Sequence, residues 1–251
     1  MEHMEYEKTQ VLRYLGHRGQ DIPSQLDALI EKCICLIHDT IQPSPHHIYR
    51  TYDLIFLTER DPEGDPEGIS VKNTQLLLTG TAIRHHLSRC HQIVLLAVTL
   101  GVAIDNLIRR WEAIDMTQAL ILDACATQLI EQCCDETEAQ IRQDVQSDGL
   151  LTTSRFSPGY GDLPLDIQPT LLAALDAEKK IGLTCTQNLI LLPRKSVTAL
   201  IGLKENPLAK ASLGSVDVMD GIGLQNPTNS AKCPSPTCEN CSLKTRCVYS
   251  R

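Results

Sequence analysis

The sequence predicts an α+β fold. Three observations carry that expectation. Segments of helical periodicity and segments rich in β-branched residues are interspersed without a regular strand–helix–strand alternation, two late strands carry a hairpin signal, and Gly221-Ile222-Gly223 lacks the further glycines of a dinucleotide-binding turn. With 251 residues and 42% hydrophobic side chains, the chain is long and apolar enough to bury a core. Lys+Arg 23 against Asp+Glu 31 gives a net charge of -8, which argues against a broad nucleic-acid-binding face.

From Asp21, Leu26, Leu29, Ile30, Cys33 and Ile37 fall on one helical face, with Pro23 suited to the first turn. Gln42 to Pro45 ends that helix, and Ile48 to Leu57 reads as a strand. Asp61 to Gly68, DPEGDPEG, is an acidic turn segment, and His46-His47, beside prolines, reads as loop. Leu76 to Leu78 precedes a helix from about Thr81 to Cys90, followed by a buried strand, Ile93 to Thr99. Gly101 breaks that strand before a helix through Ile104, Leu107, Ile108 and Trp111. Asp115 or Thr117 can cap a long helix with Leu120, Ala124, Cys125 and Ile130 inward, ended by Asp148-Gly149. Thr152 to Phe156 is extended, and Asp166 opens a helix through Leu171, Leu172 and Leu175 that Gly182 closes. Leu189 to Leu192 and Val197 to Leu203 then read as a hairpin across Pro193-Arg194-Lys195-Ser196. Residues 1–225 are expected to form one domain and 226–251 a cysteine-rich tail.

Met1 to Gln10 carries three Glu and no apolar core of a signal peptide, and the longest apolar run, Ile93 to Ile104, has twelve residues. A cytoplasmic protein with no membrane partner is expected, its eleven cysteines reduced. Seven of them are scattered and read as small apolar residues. His86 and Cys90 share a helical spacing that permits chelation, but nothing nearby completes a ligand set. The other four, Cys233, Cys238, Cys241 and Cys247, give C-x4-C-x2-C-x5-C in a segment too short for a core. Four thiolates on one metal can organise such a segment, as a [4Fe–4S] cluster or as zinc. The spacing resembles the four-cysteine cluster loop of the endonuclease III family, with a shorter first gap.

Arg155-Phe156-Ser157-Pro158-Gly159-Tyr160-Gly161-Asp162 is the chemically densest segment. A glycine after proline allows close backbone approach, an arginine can grip a carboxylate through two hydrogen bonds, and a tyrosine offers a flat face to a nucleobase or sulfonium. A structural turn with Arg155 in a surface ion pair fits the same residues.

Arg155 to Gln168 (RFSPGYGDLPLDIQ) together with Leu191 to Gly202 (LLPRKSVTALIG) resembles the reactivation domain of cobalamin-dependent methionine synthase, and more closely the free-standing proteins built from it. Tyr14 to Gly19, Leu95 to Asp105 and Met116 to Glu131 are similar to the same proteins, so the resemblance spans most of residues 9–203. It implies helices around a bent, mainly antiparallel mixed sheet. It also implies binding of S-adenosylmethionine, used in the reductive methylation of cob(II)alamin. Carried across, Arg155 would hold the methionyl carboxylate, Ser157 and Gly159 would give backbone contacts, and Tyr160 would lie against the ligand. Thr127 stands where the family has a helix-borne glutamate, and Glu131, one turn on, is the candidate replacement. The amino-terminal acidic residue and the late tyrosine of the methionine synthase version have no clear counterparts. The chain carries no corrinoid signature, so the resemblance implies a separate corrinoid-binding methionine synthase lacking this domain, and an electron donor such as flavodoxin or ferredoxin. The competing expectation is an iron–sulfur redox adaptor or docking protein that does not use S-adenosylmethionine.

Overall fold

The computed structural model describes residues 8–41, 46–57 and 68–207. The linker and all four tail cysteines, Cys233, Cys238, Cys241 and Cys247, lie outside the described residues, as does most of the DPEGDPEG segment.

The strand at the centre explains the architecture. β4 (Gln92–Thr99) is buried along nearly its whole length. Val94, Leu96 and Val98 enter one hydrophobic core, and Ile93, Leu95 and Ala97 enter another on the opposite side. A strand with two apolar faces must be covered twice. On one face lie α1 (Lys8–Tyr14), α2 (Ser24–Thr40), α4 (Val102–Glu112) and α5 (Met116–Gln146). On the other lie α3 (Thr81–Leu87), α6 (Gln168–Leu175) and α7 (Ala177–Ile181). Each fully buried aliphatic side chain contributes about 1.5–3 kcal/mol, so β4 anchors both layers.

The remaining strands are β1 (His46–Phe56), β2 (Ile69–Val71), β3 (Leu77–Leu78), β5 (Leu150–Thr152) and β8 (Ser196–Glu205), giving the sheet order β3-β2-β1-β4-β8-β5. All of these neighbours pair antiparallel. A separate small pair joins β6 (Thr184–Cys185) to β7 (Leu191–Leu192). The α+β expectation therefore holds.

Several local expectations are corrected. The hairpin does not form, because β8 is an interior strand with both edges used. Val197 lies opposite Val98 of β4, Leu203 lies opposite both Gln92 and Thr152, and β7 pairs with β6 instead. The Pro193-to-Ser196 corner is tied elsewhere: the Arg194 N–H donates to Asp105 at 2.7 Å, and the Ser196 hydroxyl donates to Thr99 Oγ1 at 2.7 Å. The helix expected from Asp166 to Gly182 is a 3-10 turn at Leu165–Ile167 followed by α6 and α7, broken at Asp176, whose φ is 58°. Tyr52 Oη caps the α6 end, donating to the Ala174 carbonyl at 2.6 Å. His46 and His47 begin β1 rather than a loop. Leu120 is 59% exposed, while the other residues expected to face inward, Ala124, Cys125 and Ile130, are buried. Asp115 does cap α5, accepting from the Thr117 and Gln118 N–H groups.

Gly202 in β8 marks the tightest approach in the second layer. A Cβ there would sit 2.5 Å from Cys90 Sγ and 2.7 Å from Leu87 Cδ2. Gly202→Ala is expected to lower unfolding stability by about 1–3 kcal/mol through overpacking, measured by urea denaturation. An unchanged midpoint would contradict this packing.

Candidate functional site

The segment singled out in the sequence follows β5 and continues beside β8. Phe156 makes a two-way backbone bridge with Leu200 of β8, its N–H donating at 2.9 Å and its carbonyl accepting at 2.8 Å. The chain then turns through Pro158. Gly159 has φ 83°, where a side chain would be strained. Its N–H donates to the Leu163 carbonyl at 2.9 Å, and the Tyr160 N–H donates to the Ser157 carbonyl at 3.0 Å. The Ser157 N–H and the Gly159 carbonyl have no hydrogen-bond partner among the described residues.

Tyr160 is half exposed, its ring edge-on to Phe156 at 6.0 Å. Phe156 in turn packs on His86 at 5.1 Å, and His86 Nε2 donates to the Ser154 carbonyl at 3.0 Å. Burial pushes the His86 pKa below its ordinary value, which favours the neutral ring. His86 is thus part of the floor under Tyr160 and not a metal ligand with Cys90, which is buried. Helical spacing alone did not reveal this role, because its partners come from residues 154–156.

Asp162 locks the turn to α3. Its carboxylate accepts from the Thr81 N–H and hydroxyl, both at 2.6 Å, and from the Ala82 N–H at 3.0 Å. Gly80 is required opposite it, since a Cβ would meet Asp162 Oδ1 at 2.6 Å. This is a helix cap supplied from a distant segment, and sequence spacing could not show it.

Arg155 points to α5, where three carboxylates meet it. Glu138 Oε2 lies 3.3 Å from Nε, Asp135 Oδ1 lies 2.6 Å from Nη2, and Glu131 Oε2 lies 3.6 Å from Nη2. The ion-pair reading of Arg155 is therefore seen, and Glu131 is one of its three partners. Burial raises the Glu131 pKa, with Arg155 opposing and Asp135 adding to the rise. Glu138 and Asp135 were missed. Asp135 follows Glu131 by four residues and Glu138 follows Asp135 by three, and that helical spacing is the signal that would have found them. Toward the other end of α5, Lys195 Nζ lies 2.8 Å from Asp123 Oδ1 and donates to Thr127 Oγ1 at 2.8 Å. The Thr127 hydroxyl, where the resemblance places the family glutamate, is thus taken by Lys195.

Cys125, Cys133 and Cys134 are pushed up to about 12 by burial, and Cys33 to about 11, so these thiols stay protonated and pack as apolar groups. Among the described residues no three His, Cys, Asp or Glu side chains form a metal site. No described helix is long and apolar enough to cross a membrane. A separate cleft of about 590 Å³ lies between Arg50, Tyr52, the β2–β3 turn and α6, and includes none of the predicted site residues.

The family described as "Vitamin B12 dependent methionine synthase, activation domain" matches residues 82–209, half of the chain, including α5 and the Arg155–Asp162 segment. The chain belongs to this family. In fold the activation-domain protein is similar to a crystal structure of the MetH reactivation domain bound to AdoHcy, with TM-score 0.53 and 17% identity over 76% of this chain and 71% of that one. No curated protein matches the sequence.

The Asp162 cap gives a pH-dependent prediction. Its pKa is held below the ordinary carboxylate value, chiefly by the Thr81 hydroxyl, with the Thr81 and Ala82 N–H groups adding and partial burial opposing. A depressed folded pKa contributes stability that is present above the unfolded value, about 3.9, and is lost as pH falls through the folded value. Asp162→Ala is expected to cost about 1 kcal/mol at pH 7. That difference shrinks on acidification below about pH 4. Urea denaturation at several pH values checks it, and a pH-independent difference would contradict the charged cap.

Proposed function

We propose that this activation-domain protein binds S-adenosylmethionine at the Arg155–Tyr160 turn and supports reductive methylation of cob(II)alamin on a separate corrinoid-binding methionine synthase. The observation that carries the reading is the arrangement of the turn. Over six residues inside the family-matched span the turn carries a guanidinium, two backbone groups without partners among the described residues, and an aromatic ring edge-on to Phe156.

In this reading Arg155 pairs with the methionyl carboxylate, and Glu131 accepts from the α-ammonium. The Ser157 N–H and the Gly159 carbonyl contact the nucleoside, and Tyr160 lies against the adenine or the sulfonium. None of these residues needs to move a proton. Their work is orientation: the S-methyl group is presented outward to the cobalt of the partner. The corrinoid, as substrate on that partner, takes one electron and then the methyl group, leaving methylcobalamin and S-adenosylhomocysteine. The electron comes from an external donor of the flavodoxin or ferredoxin class. The MetH domain of the fold comparison is bound to AdoHcy, the product of that methyl transfer, which is consistent with this ligand class.

The proposal also assigns residues 226–251 as a separate tail whose thiolates, Cys233, Cys238, Cys241 and Cys247, bind one metal, an iron–sulfur cluster or zinc. Iron, sulfide and zinc analysis of anaerobically purified protein distinguishes the two. A metal-free chain would remove that part of the proposal and leave the ligand turn untouched.

Calorimetry tests the ligand. Wild type is expected to bind S-adenosylmethionine, and Arg155→Ala to bind about 10- to 100-fold more weakly, the loss of a charge-assisted contact. Arg155→Lys keeps the charge without the fork and should fall between them. Thermal melts of each variant serve as the fold control. No heat with wild type, or equal affinity in Arg155→Ala, would sink the reading.

A further inference from the structure

The three α5 carboxylates use the Arg155 guanidinium unequally. Glu138 is 16% exposed, takes Nε, and is itself held by Arg142 at 3.0 Å one turn on. Removing such a partner leaves a charge in a poorly solvated place, so this contact is a fixed one. Asp135 is 71% exposed and bonds Nη2 through a single oxygen at 2.6 Å. Arg155 is its only ion-pair or hydrogen-bond partner among the described residues. Nη1 is enclosed and has no hydrogen-bond partner. The guanidinium is therefore anchored at one edge, covered at Nη2 by an exposed carboxylate, and short of an acceptor at Nη1.

From this asymmetry we infer that Asp135 occupies the place on Arg155 that a ligand's carboxylate takes, and that Glu138 is the positioning residue that keeps the guanidinium aimed at that place during the exchange. The inference rests on the S-adenosylmethionine reading of the same site. Asp135 competes at high effective concentration, because it is part of the same chain, and so lowers the apparent affinity by the fraction of time it covers Nη2. A carboxylate that engages Nη2 and Nη1 together supplies the acceptor that Nη1 lacks. That second bond is what a one-oxygen contact from Asp135 cannot match. Glu138 does not exchange, since it is mostly buried and Arg142 holds it from the other side.

The two acids should then act with opposite sign. Asp135→Asn removes the competitor and is expected to bind S-adenosylmethionine about threefold to tenfold more tightly than wild type. Glu138→Gln releases the Nε anchor and is expected to bind about tenfold more weakly. Decarboxylated S-adenosylmethionine, which has no group to compete with Asp135, should show no gain with Asp135→Asn. A merely structural role for both acids would lower affinity in both variants. Titration calorimetry with both ligands reads all of this. If Glu138→Gln fails to fold, Asp135→Asn alone decides. Tighter binding of S-adenosylmethionine, with no gain for the decarboxylated ligand, supports the inference. Unchanged or weaker binding while wild type does bind overturns it and leaves the proposed function standing. If neither wild type nor Asp135→Asn binds S-adenosylmethionine, the proposed function falls, and this inference with it.

Discussion

The two-sided burial of β4 is the constraint on which the rest depends. A strand reading IVLLAVT has no polar face, so the sheet around it must be covered by helices front and back. One cover includes α5, 31 residues long and about 46 Å from end to end. The other is built from α3, α6 and α7, against which the turn at Pro158 packs. The segment from Thr153 to Asp162 continues from the edge strand β5 alongside β8 and touches both covers. Arg155 reaches α5 on one side, and Asp162 caps α3 on the other. The candidate site lies where the two layers are joined by one short piece of chain.

That placement gives the site its character. Each end of the turn is held by charge-assisted hydrogen bonds, while in its middle the Ser157 N–H and the Gly159 carbonyl have no partner among the described residues and the Tyr160 ring is half exposed. A turn fixed at both ends loses little freedom when a ligand arrives, which favours orientation over proton transfer as its contribution. The acids of α5 add a negative field beside the guanidinium. A ligand carrying a carboxylate and two cationic centres suits both signs of charge.

Much of this was legible in the sequence. The double-faced strand, the Asp115 cap and the long helix follow from periodicity and capping chemistry acting within a few residues of one another. The glycine–tyrosine turn was legible for the same reason. What sequence reading missed depends on partners far apart in the chain. The Pro193 corner looked like a hairpin turn because the flanking segments are both strands; that β8 already had two neighbours is a property of the assembled sheet. The break at Asp176 escaped notice because an aspartate at positive φ leaves little local signature. Glu138 and Asp135 carry no local signal of a role beyond their helical spacing, and only the arrival of Arg155 from beyond β5 gives them a task.

The most direct test of the account is methyl transfer itself. Cob(II)alamin bound to a methionine synthase lacking an activation domain is mixed with a low-potential reductant, S-adenosylmethionine labelled in its methyl group, and this protein. The account predicts that labelled methylcobalamin forms on the partner, that it depends on this protein, and that it slows sharply when Arg155 is replaced. Methylcobalamin forming at the same rate without this protein, or none forming with every component present, would contradict it.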